Sequence, residues 1–275
     1  MQPRPLTAAD LPRAAALSAL IGWNQTPADW REFLARGTVA CLDDGDPTAL
    51  AATAATYHFS PQLAWISMVL VRPDLRRQGH ASTLMRWAIG SLDVASQVLD
   101  ATPAGREVYQ RLGFRDLWGF ARWSLPNTLP AEPGVAVRPL RAEDWPALLA
   151  LDLAAFGAPR AALLQGFAQR LPAAAWVAEA GRRITGAVLG RDGVRTQGLG
   201  PLWAQDAATA RALLAAARHA VGPVVLDLRD GALGLDAWLS AHGAAAQRPF
   251  TRMALGANPP GDATFYAAVA GPEFG

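Results

Sequence analysis

The residues with the clearest chemical potential are six in a row, Arg76-Arg77-Gln78-Gly79-His80-Ala81. They follow an apolar run, Trp65-Ile66-Ser67-Met68-Val69-Leu70-Val71, that reads as a buried strand. They precede Ser82-Thr83-Leu84-Met85-Arg86-Trp87-Ala88-Ile89, which reads as a helix. A turn from strand end to helix start aims unpaired backbone N–H groups and the positive end of the helix dipole at one point. A phosphate or pyrophosphate suits such a point. Gly79 lets the backbone approach the anion, and Arg76 or Arg77 adds a charge-assisted fork. The plain alternative is a strand–turn–helix with an exposed basic turn. A Walker-type loop is excluded, because no Gly-Lys-[Ser/Thr] follows and the chain has no lysine.

A second constellation lies downstream. Val98-Leu99-Asp100-Ala101-Thr102-Pro103 reads as a short strand and turn. The helical stretch Ala104–Arg111 follows, closed by Leu112-Gly113-Phe114 with Gly113 as the C-cap. It carries Tyr109, by itself either a reactive phenol or a packed amphipathic aromatic.

The surrounding composition is that of a core-forming globular chain: 275 residues, 51% hydrophobic and 17% charged. The length accommodates two domains. The formal net charge is only +2, and no dense basic run interleaves with aromatics, so nucleic acid is not an expected partner. A single cysteine, Cys41, rules out an intrachain disulfide framework and fits a reducing compartment. Met1-Gln2-Pro3-Arg4-Pro5 has no signal-peptide core, and no apolar run reaches the ~20 residues of a membrane helix. The expectation is a cytoplasmic protein with no membrane partner and no metal.

The chain also repeats itself. Arg4-Pro5-Leu6-x-Ala8-x-Asp10-x-Pro12 recurs as Arg138-Pro139-Leu140-x-Ala142-x-Asp144-x-Pro146. Gly113, Phe120, Arg122 and Leu125 recur with identical spacing as Gly243, Phe250, Arg252 and Leu255. The Pro/Gly-rich stretch Pro126–Gly134 is the expected linker, leaving domains at 1–126 and 135–275. The first half predicts a strand near Arg4, helices over Ala8–Ile21 and Pro27–Arg36, and strands over Thr38–Leu42, Thr48–Tyr57 and Leu63–Val71. The loop, its helix, a strand at Val98, a helix at Ala104 and two strands around Arg115–Leu125 complete it. The second half predicts strands near Val135, Ala174, Ile184, Gly198 and Val224, and helices near Asp144, Arg160, Ala207 and Leu235.

Arg76-x-x-Gly79-x-Ala81 after Val71-Arg72-Pro73 resembles the acyl-CoA pyrophosphate loop, [RQ]-x-x-G-x-[GA], of the GNAT N-acetyltransferases. Tyr109-x-x-x-Gly113-Phe114 resembles that family's second hallmark. The resemblance covers nearly the whole chain. It implies an α/β fold: two tandem GNAT folds, each a mixed, mostly antiparallel central sheet flanked by helices. The second copy lacks both motifs. Tyr109 falls on Leu239 and Phe114 on Ala244, and the loop falls near Asp206–Arg211. An aspartate there is a good helix cap but repels pyrophosphate. An active first copy with a degenerate second resembles a tandem subgroup of the family.

The resemblance implies acetyl-CoA as co-substrate and a primary amine, chiefly of a small molecule, as acceptor. The pantetheine arm would lie between the fourth and fifth strands. The cofactor contacts carried over are Met68, Val69, Leu70 and Val71, then Arg76, Arg77, Gln78, Gly79, His80, Ala81 and Ser82, then Thr102, where the family often has Asn. A backbone N–H near Met68 or Val69 would polarise the thioester carbonyl. Tyr109 would protonate the departing thiolate.

The base is less evident, since Ser67 is the strand's only polar side chain. Asp100 is either an amine-binding carboxylate or a turn residue. His58 is either an acceptor contact or a half-exposed loop histidine. Trp23, Asn24 and Gln25 either cover the acceptor or form a helix–helix turn around a packed tryptophan. The aromatic tail is expected to pack between the copies on Phe265, Tyr266 and Phe274. There Glu273 either supplies the missing base or simply belongs to a sealing segment. Two function classes compete with the enzyme acting on small amines: a non-catalytic acyl-CoA sensor, and an acetyltransferase for protein N-termini or lysines. Fused copies suit a monomer that mimics a GNAT dimer, or a homodimer.

Overall fold

The computed structural model describes residues 1–181 and 183–275. The first half runs β1 (Arg4–Pro5), α1 (Leu11–Ile21), α2 (Pro27–Arg36), β2 (Gly37–Leu42), β3 (Ala52–Ser60), β4 (Leu63–Val71), α3 (His80–Gly90), β5 (Ser96–Ala101), α4 (Pro103–Arg111) and β6 (Arg115–Ser124). The second half repeats that order: β7 (Ala136–Pro139), α5 (Trp145–Phe156), α6 (Ala161–Arg170), β8 (Trp176–Ala180), β9 (Arg183–Arg191), β10 (Gln197–Ala204), α7 (Ala207–Ala220), β11 (Val224–Arg229), α8 (Leu235–Ala241) and β12 (Ala245–Gly256). A short β13 (Tyr266–Ala268) follows in the tail. The fold is α/β, a mostly antiparallel mixed sheet flanked by helices.

The repeated Arg-Pro-Leu-x-Ala-x-Asp segment ties a strand to a helix start. Arg4 grips both carboxylate oxygens of Asp10 at 2.8 Å, and Arg138 grips Asp144 at 2.7 and 2.8 Å. Each aspartate also accepts a backbone N–H, from Thr7 and from Arg141. At α2, Thr26 and Asp29 form the reciprocal capping box and Pro27 takes the first helical position.

Two element boundaries differ from expectation. β3 starts at Ala52 rather than Thr48, because Thr48 donates its N–H and its hydroxyl to Asp46 in a local turn. One ten-residue strand, β6, stands where two were expected.

The larger departure is the joining of the halves. The thirteen strands form one sheet in the order β1-β2-β3-β4-β5-β12-β6-β11-β13-β10-β9-β8-β7. The last strand of each repeat has crossed over. β12 pairs with β5, and β6 pairs with β11, all antiparallel. Residues 125–135 connect β6 to β7, but the sheet does not divide there.

Aromatic packing on the α1–α2 face also runs across the repeats. Trp30 and Phe33 share one core with Phe156 and Phe167 of the second half. Phe274 completes it, stacked on Phe33 at 4.8 Å and edge-on to Phe167 at 5.5 Å. Tyr266 and Phe274 are buried as expected of anchors, but Phe265 is 51% exposed. It ends a 3₁₀ turn just before β13 and points away from the interface core.

A buried ionic cluster pins the same interface. Asp29 is fully buried and receives Arg170 at 2.9 Å and Arg191 at 2.7 Å, both from the second half. Burial alone would raise the pKa of Asp29; Arg191 and Arg170 outweigh it, and the net shift is downward. A carboxylate with a depressed folded pKa stabilises above its unfolded value near 3.8 and loses that contribution as pH falls through the folded value. Asp29→Asn is therefore expected to cost about 2–3 kcal/mol near neutral pH, by removing the buried carboxylate that Arg170 and Arg191 share while each keeps a second carboxylate, Asp192 and Glu273. Urea denaturation of both proteins between pH 7 and 3 should show the gap narrowing in acid; a gap constant with pH would contradict the assignment.

Candidate active site

β4 and β5 run parallel and pair only over Leu63–Trp65 and Ser96–Val98. Beyond that point they part, so Ile66–Val71 presents an unpaired edge. The divergence starts at a bulge. Between Ser67 and Leu70 the register against β3 slips, and Met68 takes φ 53°. Met68 itself is buried, and its carbonyl accepts from Thr53 Oγ1 at 2.9 Å.

At the end of β4 the chain turns through Arg77 at φ 62° and Gly79 at φ 85° into α3. Alternating conformations of this kind form a concave set of backbone N–H groups. Gly79 caps α3 without a side-chain acceptor, and the first backbone bond into it is Thr83 N–H to Gly79 O. The N–H groups of His80, Ala81 and Ser82 are thus the helix's free donors. Arg76, Arg77 and Gln78 are exposed around them. A side chain at position 79 would meet nothing within 4 Å, so glycine serves its backbone angle and leaves room above the loop.

Tyr109 lies on α4, whose N-cap is Thr102, accepting from Gly105 N–H at 3.3 Å. The phenol leans back over the preceding turn, where a β-carbon on Gly105 would come within 2.9 Å of its ring. Gly105, which the sequence reading passed over, makes room for it. Burial pushes the Tyr109 pKa up to about 12. Among the described residues its hydroxyl has no hydrogen-bond partner, and Tyr109 lines a cavity beside the open strand edge.

That cavity is lined from both halves. The first supplies Trp23, Gln25, Ser67, Val69, Asp100 and Tyr109; the second supplies Arg248, Phe250, Pro272 and Glu273. Glu273 is buried but not alone. Its Oε1 accepts from Gln25 Nε2 at 2.8 Å and from Arg191. Its Oε2 accepts nothing from the described residues. Gln25 Oε1 and Ser67 Oγ are buried and unpartnered.

Three expected site residues serve differently. Asp100 touches the cavity, but both its oxygens are held by Arg252 of β12 at 2.8 Å. Burial raises its pKa, against the opposing pull of Arg252. Asn24 spends its amide on the β9–β10 loop, donating to Thr196 O at 2.6 Å and accepting from Arg195 N–H at 2.8 Å. His58 is exposed near the end of β3 and does not line the cavity.

The second copy closes the same features. β10 carries the matching bulge, with Gly200-Pro201 where the first copy has Met68-Val69. Proline has no N–H to offer there. α7 is capped by Asp206, which accepts from Thr209 N–H at 2.7 Å. The gap between β10 and β11 is filled by β13, antiparallel to both. Gly200 at φ 145° lets this tail pass, since a β-carbon would lie 2.1 Å from Val269 O.

Residues 34–116 match an acetyltransferase (GNAT) domain family, and residues 148–266 match a second one. Together they span well over half of the chain. The chain belongs to the GNAT acetyltransferases. No curated protein matches it. Among solved structures, a putative acetyltransferase from Pyrococcus horikoshii is similar in fold, with TM-score 0.80 and 19% identity over 99% of this chain and 95% of that one. A GCN5-related N-acetyltransferase from Sphaerobacter thermophilus gives 0.66 at 15% identity, over 94% and 96%. Eis1 from Mycobacterium abscessus gives 0.52 at 18%, over 92% and 73%. With one slot open and one filled, this tandem GNAT protein is expected to bind one acyl-CoA per chain. Isothermal calorimetry with acetyl-CoA measures the stoichiometry, and two equivalent sites would contradict it.

Proposed function

We propose that this chain is an acetyl-CoA-dependent N-acetyltransferase for a small primary amine. The supporting observation is that an unpaired, protonated phenol and a carboxylate with one free oxygen line the same cavity beside the open slot. Acetyl-CoA supplies an acyl group activated as a thioester. Arg76, Arg77 and the N–H groups from Gln78 to Ser82 hold its pyrophosphate, and the edge of β4 from Met68 to Val71 holds its pantetheine arm. Thr102 borders the same slot. A backbone N–H at the Met68–Val69 bulge polarises the acyl carbonyl.

An amine arriving as ammonium must lose a proton before it can attack. Oε2 of Glu273 takes that proton, while Arg191 and Gln25 keep Oε1 in place, and the freed nitrogen bonds the acyl carbon as the carbon–sulfur bond breaks. Tyr109, protonated throughout the neutral range, gives its proton to the departing sulfur. Trp23 and Phe250 supply apolar walls to the acceptor. Asp100, with both oxygens taken, holds the exchanged strand rather than the amine. Enclosure between two copies favours a small amine over a protein N-terminus or lysine. An acyl-CoA sensor would bind acetyl-CoA and release no thiol with any amine, which a thiol-release assay over an amine panel decides.

Tyr109→Phe should lower kcat on the order of a hundredfold or more while leaving acetyl-CoA affinity nearly unchanged. An unchanged kcat would remove the phenol from the reaction. Gly105→Ala should act through the same group. Alanine favours a helix by roughly 1 kcal/mol over glycine, so stability should hold or rise, while kcat falls on the order of tenfold or more as the ring is displaced. Loss of activity together with loss of stability would instead mark Gly105 as a folding residue.

A further inference from the structure

Four charged side chains line the cavity: Asp100, Arg122, Arg248 and Glu273. Three are ion-paired, Glu273 through one oxygen only. Asp100 is held by Arg252, Arg122 by Asp227 at 2.7 and 2.8 Å, and Glu273 by Arg191. Arg248 is different. Among the described residues it has no carboxylate partner and no hydrogen bond. Its Nε is buried without an acceptor, and its guanidinium lies 4.7 Å from the centre of the Phe250 ring. Burial and the neighbouring Arg122 both pull its pKa below the usual arginine value. Arg248 is half-buried, and an arginine remains charged there nonetheless; a partly desolvated cation with no anion in contact gains from one.

The face on which Arg248 stands is informative. Along β12, positions 248, 250, 252 and 254 share one side of the sheet. Phe250 and Ala254 belong to the core on the α1–α2 side, with Trp65 and Phe120. Arg248 therefore stands on the side of Trp23, Gln25 and Glu273, and the loop at Arg76–Ala81 leads into α3 on the other side, where Met85 packs with Met253. Unpaired acceptors occupy the rest of the cavity: Gln25 Oε1, Ser67 Oγ and Glu273 Oε2. Acceptor oxygens and a free guanidinium in one cavity fit a molecule with an ammonium at one end and an anion at the other.

We propose that the acceptor is an amine that also carries a carboxylate, and that Arg248 binds that carboxylate. This rests on the N-acetyltransferase reading and narrows its substrate class. Guanidinium and carboxylate match as a two-pronged pair, and the closing of the last open charge in the cavity gives the selectivity. A neutral amide in place of the carboxylate leaves Arg248 as it is now.

The test compares glycine, β-alanine and γ-aminobutyrate with their carboxamides and with amines lacking the acid, using thiol release by the full chain and acetyl-CoA. The expected result is kcat/KM at least about tenfold higher for an acid than for its carboxamide. Arg248→Gln should erase that preference and leave the KM for acetyl-CoA unchanged; Arg248→Lys should keep part of it. Equal turnover of acids and carboxamides overturns the proposal while leaving N-acetylation intact. Acetyl-CoA binding with turnover only of amines that lack an acid overturns it in the same way. A raised KM for acetyl-CoA in Arg248→Gln, with the acceptor preference unchanged, places the arginine on the co-substrate and also overturns it. No acetyl-CoA binding and no thiol release with any amine would remove the acetyltransferase reading itself. The wild-type comparison of acids with carboxamides needs no variant, so a misfolded substitution does not shield the idea.

Discussion

The exchange of β6 and β12 is the constraint on which the rest of this structure depends. It is fixed by two matching ion pairs directly across strand neighbours. Arg252 faces Asp100, and Arg122 faces Asp227, each between opposite halves of the chain. Arg252 is further clamped between Trp65 at 4.5 Å and Trp118 at 4.3 Å, and donates to Tyr266. Burying such charges costs several kcal/mol per ion, so net stabilisation is a poor explanation for them. Register is a better one. A one-residue slip of β12 would turn Arg252 toward the helix side held by Met253 and Leu99 and leave Asp100 as an unpaired buried carboxylate. Two pairs of this kind penalise every other alignment of the central strands. They also explain why Asp100 is unsuited to chemistry: its oxygens are spent on holding the sheet.

Once the strands are exchanged, the two copies are no longer equivalent. The tail must leave from the end of β12 and has a free slot beside it, between β10 and β11. Filling that slot removes the second copy as a site for an extended ligand. The same tail then continues across the interface. Trp65 donates to Pro272 O at 3.0 Å, Phe274 enters the shared aromatic core, and Arg160 holds the Phe274 and Gly275 carbonyls at 3.0 and 2.6 Å. Glu273 is set down between these anchors in the first copy's cavity. One segment thus closes one site and furnishes the other, and Gly200 and Pro201 are the local changes that accommodate it.

Much of this was legible in the sequence because it is local. The bounds of α2 and β4 follow from a capping box and an unbroken apolar run. The turn at Arg76–Ala81, the Tyr109 helix and the capping Asp206 are each determined within a few residues. The tail's composition gave away Tyr266, Phe274 and Glu273, although Phe265 shows that aromatic character alone does not say which side a residue faces. What escaped was non-local. Asn24 lines the cavity, but its amide is also bound to the β9–β10 loop, more than 170 residues on, which nothing local announces. His58 is a strand residue on the outward alternation, not a loop histidine. Arg248 could not be placed at all, because no pattern within β12 announces that it pairs with β5. Gly105 was within reach, since it precedes Tyr109 by one helical turn.

The site is therefore built from contacts that exist only when the sheet and the interface are formed. The sheet requires pairing across more than a hundred residues, and only then do the slot and interface exist to receive the tail. A chain with its tail undocked would keep the anion loop, the open slot and Tyr109, and would lack Glu273. On the proposed function, such a chain would still bind the acyl donor but would lack the carboxylate that meets the acceptor. The Asp29–Arg191–Glu273–Gln25 chain opposes this. Arg191 is shared between a fully buried aspartate of α2 and the tail carboxylate, so releasing Glu273 leaves the arginine unbalanced inside the interface. The group that positions the carboxylate is thus also the group that penalises its departure, and the competence of the site is tied to the stability of the contact between the two copies.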